Sequence, residues 1–467
     1  MNSSNPRSCL RRHPASFRDP TGSIFEKDGM ILRGLTESGL KRYEEARNSG
    51  FLNHLEAQQK MVKTENINIH PSDSKFVTFV QHEKIPFISY PYEWPFLLLK
   101  EAALFHLNLQ IEALASDYVL TDATAYNVQF QGVSPIFIDL LSFRRYLPGE
   151  LWKGHRQFCE QFLNPLLLVA MKGIPYHAWY RGAMEGIPTE LMARWMPLRS
   201  WFSLRSLTHI LWPALSERSR KNEASRIECI QQTTFPKEGY RYLLKQLYHW
   251  ILYLKPKHYH LTEWADYEYR APYEPEEWGL KKKFIANFSA QTNPFCLLDL
   301  GCNTGEFSEL ALAHGASRVI GVDSDAGALH QAVLRAQQKK LNFLPLYQEL
   351  SNPSPSQGWL LQERDGFPRR GVFDAVIALA LIHHLIIGNH LDFSEAMGWI
   401  LSLAPAGVIE FIPKTDPCVQ KMLALREDVF SNYSEDIFVA LLEAKADIIH
   451  REVVSMSGRC LYWYHIR

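Results

Sequence analysis

The sequence has no apolar run long enough to cross a membrane. Even its apolar stretch at residues 375–387 is interrupted by two histidines and is followed by Gly388, whereas a membrane-spanning helix needs about twenty consecutive apolar residues. An excess of one charge is also absent, because 50 Lys and Arg balance 50 Asp and Glu. No global field therefore points to nucleic acid or an anionic membrane as the partner.

Cysteines are few and scattered along the chain. The seven cysteines are odd in number and contain no Cys-x-x-Cys pair, which disfavours both a disulfide framework and a structural zinc site. We therefore expect a reduced, cytoplasmic protein without a bound metal. The first eighteen residues carry four arginines and no acid. Because they also lack an apolar core, we expect residues 1–19 to form a disordered tail and not a targeting peptide.

A chain of 467 residues is long enough for two domains. Alternating residues around Asp28-Gly29 predict a β-hairpin, and the apolar spacing over residues 97–115 predicts a buried helix. These patterns indicate an N-terminal α+β domain at residues 20–257 with a helical second half. A polar, aromatic run at residues 258–269 marks the boundary to a C-terminal domain at residues 258–467, and it either closes over a ligand or covers the domain interface.

Three polar residues of the N-terminal half have the spacing of a phosphotransferase site. Asp122, Asn127 five residues later, and Asp139 at the end of the next strand resemble the catalytic loop and metal-binding acid of protein-kinase-like enzymes. A glycine-rich loop, a lysine on a clear third strand and a histidine two residues before Asp122 are all missing. Two interpretations stay open: a kinase-like fold, or two capped turns and a strand end.

The strongest signal is the stretch at residues 297–307, in which an apolar strand runs into an acid and then into a turn framed by two glycines. Helical spacing follows, and then a second apolar strand that ends in Asp323. This order is the first βαβ unit of a nucleotide-binding, doubly wound α/β sheet. Asp323 lies about twenty residues after the first glycine, where such folds bind a ribose hydroxyl.

Carboxylates on both sides of the turn indicate which nucleotide binds. Asp299 precedes the first glycine, Glu306 follows the last, and Asn303 occupies the place of the middle glycine. Two carboxylates would repel a pyrophosphate, but they suit the ammonium and sulfonium groups of S-adenosylmethionine. Asp-Leu-Gly-Cys-Asn-Thr-Gly at residues 299–305 resembles the first motif of class I methyltransferases. The resemblance implies a Rossmann-like sheet, and residues 446–454 and 459–466 predict its final antiparallel pair.

Nine residues are predicted to bind this cofactor. The methionine pocket would be shaped by Asp299, Gly301, Asn303 and Gly305, and the ribose would be held by Asp323 with its neighbour Ser324. Adenine would contact Glu349 and Leu350, a role that the resemblance implies for the loop after the third strand. Ala378 lies at the carboxyl end of the fourth strand, where open α/β sheets place ligands.

Three residues are candidates for catalysis. His383 and His384 lie beyond the fourth strand, and a histidine there can deprotonate a hydroxyl because its pKa lies near neutrality. Alternatively, the two histidines cap the next helix. Glu410 stands in an otherwise apolar strand, so it either faces the pocket or forms a buried structural pair with Lys414.

Longer strings extend the resemblance over nearly the whole chain. Residues 86–96, 122–127, 352–355, 378–385 and 411–414 resemble bacterial two-part methyltransferases related to nodulation host-specificity proteins. This resemblance implies methyl transfer but no particular acceptor. We expect a small molecule or glycan as the acceptor and not a macromolecule. Nucleic acid is not excluded, since residues 194–257 contain twelve Lys and Arg against four Asp and Glu. The alternatives are a kinase-like ATP-binding protein and a non-enzymatic adaptor.

Overall fold

The computed structural model of the chain describes residues 10–69, 73, 75–197, 200–201, 203–218, 235–259, 274–424 and 427–467. Within them, the N-terminal half begins with a five-stranded antiparallel sheet of order β1-β2-β3-β5-β4. Strands β1 to β5 are Arg11–Arg12, Gly22–Lys27, Met30–Leu35, Thr64–Ile67 and Thr78–His82.

The hairpin between β2 and β3 is confirmed. Asp28 and Gly29 have φ values of 51° and 77°, the left-handed conformation that a two-residue hairpin turn requires. Strand β1 corrects the expected disordered tail, because Arg11 pairs with Glu26 of β2 in the sheet and through an ion pair at 3.0 Å. The folded chain thus begins before residue 20, and residues 1–9 lie outside the described part.

Helices and two small hairpin-like sheets make up the rest of the N-terminal half. The 20-residue helix α3, Phe96–Ala115, has twelve buried residues around its whole circumference, so it is the buried helix that the sequence predicts. Strands β6 to β9 are Tyr118–Leu120, Val128–Gln131, Ser134–Phe137 and Phe143–Arg145. Helices α1 to α10 are Glu37–Asn48, Phe51–Ala57, Phe96–Ala115, His155–Phe158, Asn164–Lys172, His177–Gly182, Thr189–Trp195, Leu204–Ser206, Trp212–Arg218 and Lys237–Leu252.

A seven-stranded sheet organises the C-terminal half, with strand order β12-β11-β10-β13-β14-β16-β15. Strands β10 to β14 run parallel, and β16 is antiparallel to both β14 and β15. The predicted Rossmann-like sheet with an antiparallel last strand is therefore confirmed. Strands β10 to β16 are Leu297–Leu300, Val319–Asp323, Phe343–Tyr347, Ala375–Ala378, Ala406–Phe411, Ala446–Val453 and Cys460–Ile466.

The described residues of the C-terminal half also form six α-helices. They are α11 to α16, with bounds Pro275–Thr292, Glu306–Ala313, Ala326–Lys339, Phe393–Leu401, Pro417–Leu423 and Glu435–Glu443. Among the described residues, no helix is both long and apolar enough to cross a membrane.

The two halves share one hydrophobic core. Buried side chains of α3, such as Leu99 and Leu107, belong to the same cluster as Leu298 and Ile320 on one face of the seven-stranded sheet. The opposite face packs in a second cluster against α11. The N-terminal half is therefore packed directly against the sheet domain through a common hydrophobic core.

Candidate functional site

The turn between β10 and α12 is fixed to the neighbouring strand by backbone hydrogen bonds. The N–H groups of Gly301 and Cys302 both donate to the carbonyl oxygen of Val322, at 2.8 and 3.0 Å. Gly301, Asn303 and Gly305 have φ values of 76°, 49° and 81°, a conformation that glycine adopts freely and asparagine tolerates. These contacts give the turn one defined shape at the carboxyl edge of the sheet.

Gly305 has no room for a side chain. A Cβ atom there would lie 2.5 Å from Cε1 of Phe343, and its positive φ would strain any L-residue.

We expect Gly305→Ala to displace the start of α12, to lower the free energy of unfolding by about 1–3 kcal/mol and to weaken binding of S-adenosylmethionine. Denaturant unfolding and calorimetric titration measure the two effects. Gly279→Ala is the matched control, since its Cβ would meet nothing within 4 Å; equal behaviour of the two variants would contradict the expectation.

Asp323 is held at the end of β11 by two backbone amides. Its Oδ2 accepts from the N–H of Asn303 at 2.9 Å, and its Oδ1 accepts from the N–H of Asp325 at 2.8 Å. Burial raises the pKa of Asp323 to about 6, and these hydrogen bonds act in the opposite direction. Ser324 follows in an exposed position. The carboxylate thus has a fixed orientation, which suits it to accept from two vicinal hydroxyl groups.

Asp299 lies behind the turn and is almost fully buried. Its Oδ2 accepts from Oγ of Ser308 at 2.5 Å. Burial raises the pKa of Asp299 to about 7, and the nearby charge of Asp323 adds to the increase. A cation in front of the turn would favour the ionised form of this carboxyl group.

Glu306, the other carboxylate that flanks the turn, is directed towards α11. It accepts from Nζ of Lys282 at 2.5 Å and from Nε1 of Trp278 at 3.2 Å. Its charge is therefore already shared with a lysine. Of the two carboxylates that flank the turn, Asp299 is consequently the better candidate for attracting a cationic donor.

The loop after β12 forms the opposite end of the site. Glu349 is partly buried and its Oε1 accepts from the backbone N–H and the Oγ of Ser351, at 3.3 and 2.9 Å. Leu350 is buried. The sheet register pairs Tyr347 with Asp323, the candidate ribose-binding residue. Glu349 follows Tyr347 by only two residues, so it also lies close to Asp323 along the chain.

Ala378 and Glu410 border the site on its other side. Ala378 pairs with Leu300 across the sheet. Glu410 is fully buried, and its Oε2 accepts from Nζ of Lys281 at 2.7 Å and from the N–H of Ala380 at 2.8 Å. The alternative that Glu410 pairs with Lys414 is wrong, because Lys414 bonds Asp428 at 2.7 Å instead. The carboxylate of Glu410 is occupied by these contacts, which orient the turn after β13.

The histidine pair lies just beyond this turn. His383 is buried, whereas His384 is partly exposed, and their ring centroids are 4.2 Å apart. His383 precedes the π-helical turn His384–Gly388 without capping it through its side chain. Burial lowers the pKa of His383 well below its ordinary value. Its Nδ1 has no hydrogen-bond partner among the described residues, so a neutral imidazole is present near the carboxyl end of β13.

Sequence reasoning missed three charged residues around this site. Lys281 of α11 is the partner of Glu410, and Arg459 forms a buried double hydrogen bond with Asp416, at 2.7 and 2.9 Å. Both pairs join residues that are more than forty positions apart in the chain. The signal available in the sequence was an isolated charge in an apolar strand, which identifies one member of such a pair but not its partner.

Comparison with known proteins identifies the family of the chain. A methyltransferase domain profile matches residues 267–436. Nodulation protein NoeA of Rhizobium meliloti (strain 1021) is 41% identical over 457 residues, which are 97% of this chain and 96% of the relative.

Solved methyltransferases also match part of the chain. The N-methyltransferase NodS from Bradyrhizobium japonicum WM9, in complex with S-adenosyl-L-homocysteine, is 13% identical, with 42% of this chain and 90% of that chain covered and a TM-score of 0.32. Magnesium protoporphyrin IX methyltransferase (ChlM) from Synechocystis PCC 6803, with bound S-adenosylhomocysteine, is 20% identical, with 40% and 83% covered and a TM-score of 0.29.

The sheet order, the glycine turn and the domain match define a class I S-adenosylmethionine-dependent methyltransferase, and S-adenosylmethionine is its methyl donor. Identity over nearly the whole chain then gives the particular family. The chain belongs to the family of nodulation protein NoeA.

Proposed function

We propose that this methyltransferase acts on a small molecule or a glycan, with the donor bound over the carboxyl ends of β10, β11 and β12. The observation that carries the donor placement is the convergence of Asp299, Asp323 and Glu349 along one sheet edge. Asp299 would face the ammonium group, Asp323 the ribose hydroxyls, and Glu349 the adenine amino group. Gly301, Asn303 and Gly305 would line the methionine part, with Ser324, Leu350 and Ala378 packing around the nucleoside.

The bound donor supplies a methyl group on a sulfonium, which an acceptor atom displaces in line. His383 would accept the proton that an acceptor hydroxyl or amine must lose, because its Nδ1 has no hydrogen-bond partner among the described residues and its imidazole is neutral at pH 7. Glu410 is less suited to this role, since Lys281 and the N–H of Ala380 already occupy its carboxylate. We therefore assign Glu410 to orienting the turn after β13, and His384 to contacting His383.

The balanced charge of the chain supports a small acceptor over a nucleic acid. Lys and Arg number 50 against 50 Asp and Glu, so no global field would attract a polyanion. Incubation of the full chain with methyl-labelled S-adenosylmethionine and fractions of a bacterial extract tests the proposal. Label in the small-molecule or glycan fraction supports it, and label in RNA or protein overturns it. His383→Gln should bind the donor normally yet lose the transfer.

Donor affinity should rise with pH. Burial raises the pKa of Asp299 to about 7 and that of Asp323 to about 6, so both are partly protonated below neutrality in the ligand-free protein. A cationic donor favours the ionised forms, and binding should therefore release protons. We expect the dissociation constant to fall by up to about tenfold per pH unit between pH 5.5 and 7 and to level off above pH 8.

Titration calorimetry across this pH range checks the expectation, with two buffers of different ionisation enthalpy to count released protons. Asp299→Asn should flatten the upper part of the profile. A dissociation constant that is independent of pH in the unaltered protein would contradict the assignment of these carboxyl groups.

A second candidate places an ATP site in the N-terminal half, in a kinase-like fold. Asp122 accepts from Nδ2 of Asn127 at 3.3 Å and from Oγ of Ser142 at 2.5 Å, and burial next to Asp139 raises its pKa to about 6. Asp139, however, is paired with Arg33 at 2.6 Å, a cation at the position where phosphotransfer needs magnesium. It also caps a turn by accepting from the N–H of Leu141 at 3.2 Å. These contacts fit the alternative of capped turns better than a kinase-like site.

We therefore assign the N-terminal half to substrate handling or regulation. Magnesium-dependent ATP binding that disappears in Asp139→Asn would favour the second candidate instead. Of the run at residues 258–269, expected from the sequence either to close over a ligand or to cover the domain interface, residues 260–269 lie outside the described residues.

A further inference from the structure

The N-terminal half holds the last residue of β12 and the turn that follows it, residues 347–354, which we call the loop. The imidazole of His177, at the start of α6, stacks on the ring of Tyr347 with centroids 3.9 Å apart and planes inclined by 5°. Its Nδ1 also bonds the carbonyl oxygen of Tyr92 at 3.0 Å. Four residues further along α6, Nη1 of Arg181 donates to the carbonyl oxygen of Asn352 at 3.0 Å. One helix of the N-terminal half thus touches both ends of the loop.

Glu93 provides the third support, from the buried 3-10 turn Pro91–Glu93. Its Oε1 accepts from Nε2 of Gln348 at 2.6 Å, and its Oε2 accepts from Nη1 of Arg370 at 2.6 Å. Gln348 in turn accepts from the backbone N–H and Oγ of Ser354, at 3.0 and 3.1 Å. Gln348 therefore closes the loop on one side and anchors it to the N-terminal half on the other.

This loop is adjacent to Asp323, the candidate ribose-binding residue. Tyr347 is paired with Asp323 in the sheet, and the N–H of Gln348 donates to the carbonyl oxygen of Asp323 at 2.8 Å. Glu349, the proposed adenine contact, lies between Gln348 and the closing residue Ser354. Any movement of the loop would displace the adenine contact relative to Asp323.

We infer that Glu93, His177 and Arg181 are positioning residues for the adenosine part of the donor site, so that the N-terminal half completes the site. The inference rests on the proposed placement of adenine beside Glu349. A loop that is fixed before binding does not lose conformational entropy when the ligand arrives. Removal of one support should therefore weaken donor binding while the fold and the number of sites stay the same.

His177→Ala in the full chain tests this inference by calorimetric titration with S-adenosylhomocysteine. We expect a dissociation constant about tenfold higher, with a stoichiometry of binding unchanged from the unaltered protein. 5′-Methylthioadenosine carries adenine and ribose but no amino acid, and its dissociation constant should rise by the same factor. A purely structural role would instead lower the fraction of competent protein and leave the dissociation constant of that fraction unchanged.

Two further variants sharpen the test. His177→Phe keeps an aromatic ring on Tyr347 and should restore most of the affinity. Arg18→Ala is the matched control, because Arg18 also joins the two halves, through Glu363 at 2.9 and 3.1 Å, but its contact lies outside the loop. Unaltered affinity in His177→Ala, or equal losses in His177→Ala and Arg18→Ala, overturns the inference. If only Asp323→Ala loses binding, the inference about the loop fails but the proposed donor placement is still supported. If Asp323→Ala binds the donor normally, the donor placement itself is wrong.

Discussion

Replacing Asp323 with alanine is expected to raise the dissociation constant for S-adenosylmethionine by at least about 100-fold, because hydrogen bonds to a charged group contribute about 1.5–3 kcal/mol each and two ribose hydroxyls would lose theirs. The carboxylate is oriented in advance by the N–H groups of Asn303 and Asp325. Alanine would also leave these amides without their acceptor, and the glycine turn would lose one of its hydrogen bonds to β11 while those of Gly301 and Cys302 to Val322 remain.

Asp323→Asn separates the two contributions. Its side-chain oxygen can still accept one backbone N–H, but its NH₂ group opposes the other, so we expect an intermediate loss of affinity. Asp392→Ala is the matched control, since Asp392 accepts from the N–H of Glu395 to cap α14 and takes no part in the turn. Titration calorimetry measures affinity, and thermal unfolding verifies the fold. Donor binding by Asp323→Ala at the level of the unaltered protein would remove the ribose assignment.

Glu410→Ala should destabilise the protein more than Gly305→Ala does. It leaves the ammonium group of Lys281 buried without its carboxylate, and removal of one member of a buried ion pair costs about 3–5 kcal/mol. In a domain of this size, that loss corresponds to a decrease of about 10 °C in the unfolding temperature. The N–H of Ala380 also loses its acceptor, so the turn beside Ala378 should become less ordered.

A double variant shows whether the charges themselves cause the loss. Lys281→Met combined with Glu410→Gln leaves no buried charge, and the glutamine oxygen can still accept from the N–H of Ala380. We expect this protein to recover most of the unfolding temperature and to bind S-adenosylmethionine with an affinity close to that of the unaltered protein. If Glu410→Ala unfolds at the temperature of the unaltered protein, the buried pair does not have the structural role assigned to it.

The βαβ unit that carries the candidate donor residues could be predicted because its signals are local. Asp299, the glycine turn and Asp323 lie within one βαβ unit, where the spacing of apolar residues fixes the order of strand, helix and strand. The parallel register then brings the ends of β10, β11 and β13 to the same edge. The spacing of apolar residues likewise predicts the later strands and helices of the C-terminal half.

Contacts over long sequence distances could not be predicted in this way. The sequence offers Lys414, the nearest lysine, as one alternative partner for Glu410, yet the partner in the structure is Lys281, 129 residues away. Similarly, nothing in the string Tyr-Pro-Tyr-Glu-Trp-Pro indicates that Glu93 meets Gln348 and Arg370. Such pairs depend on how helices outside the sheet pack against it, and helical periodicity alone does not determine that packing.

The shared interior of the two halves has a consequence for how such a protein can change over evolutionary time. Leu99 and Leu107 of α3 belong to the same apolar cluster as Leu298 and Ile320 of the sheet, so a change of volume on one side of the seam must be matched on the other. A sheet domain taken from a distant relative would not fit this N-terminal half. We therefore expect the two halves to behave as one packing unit and not as two exchangeable modules.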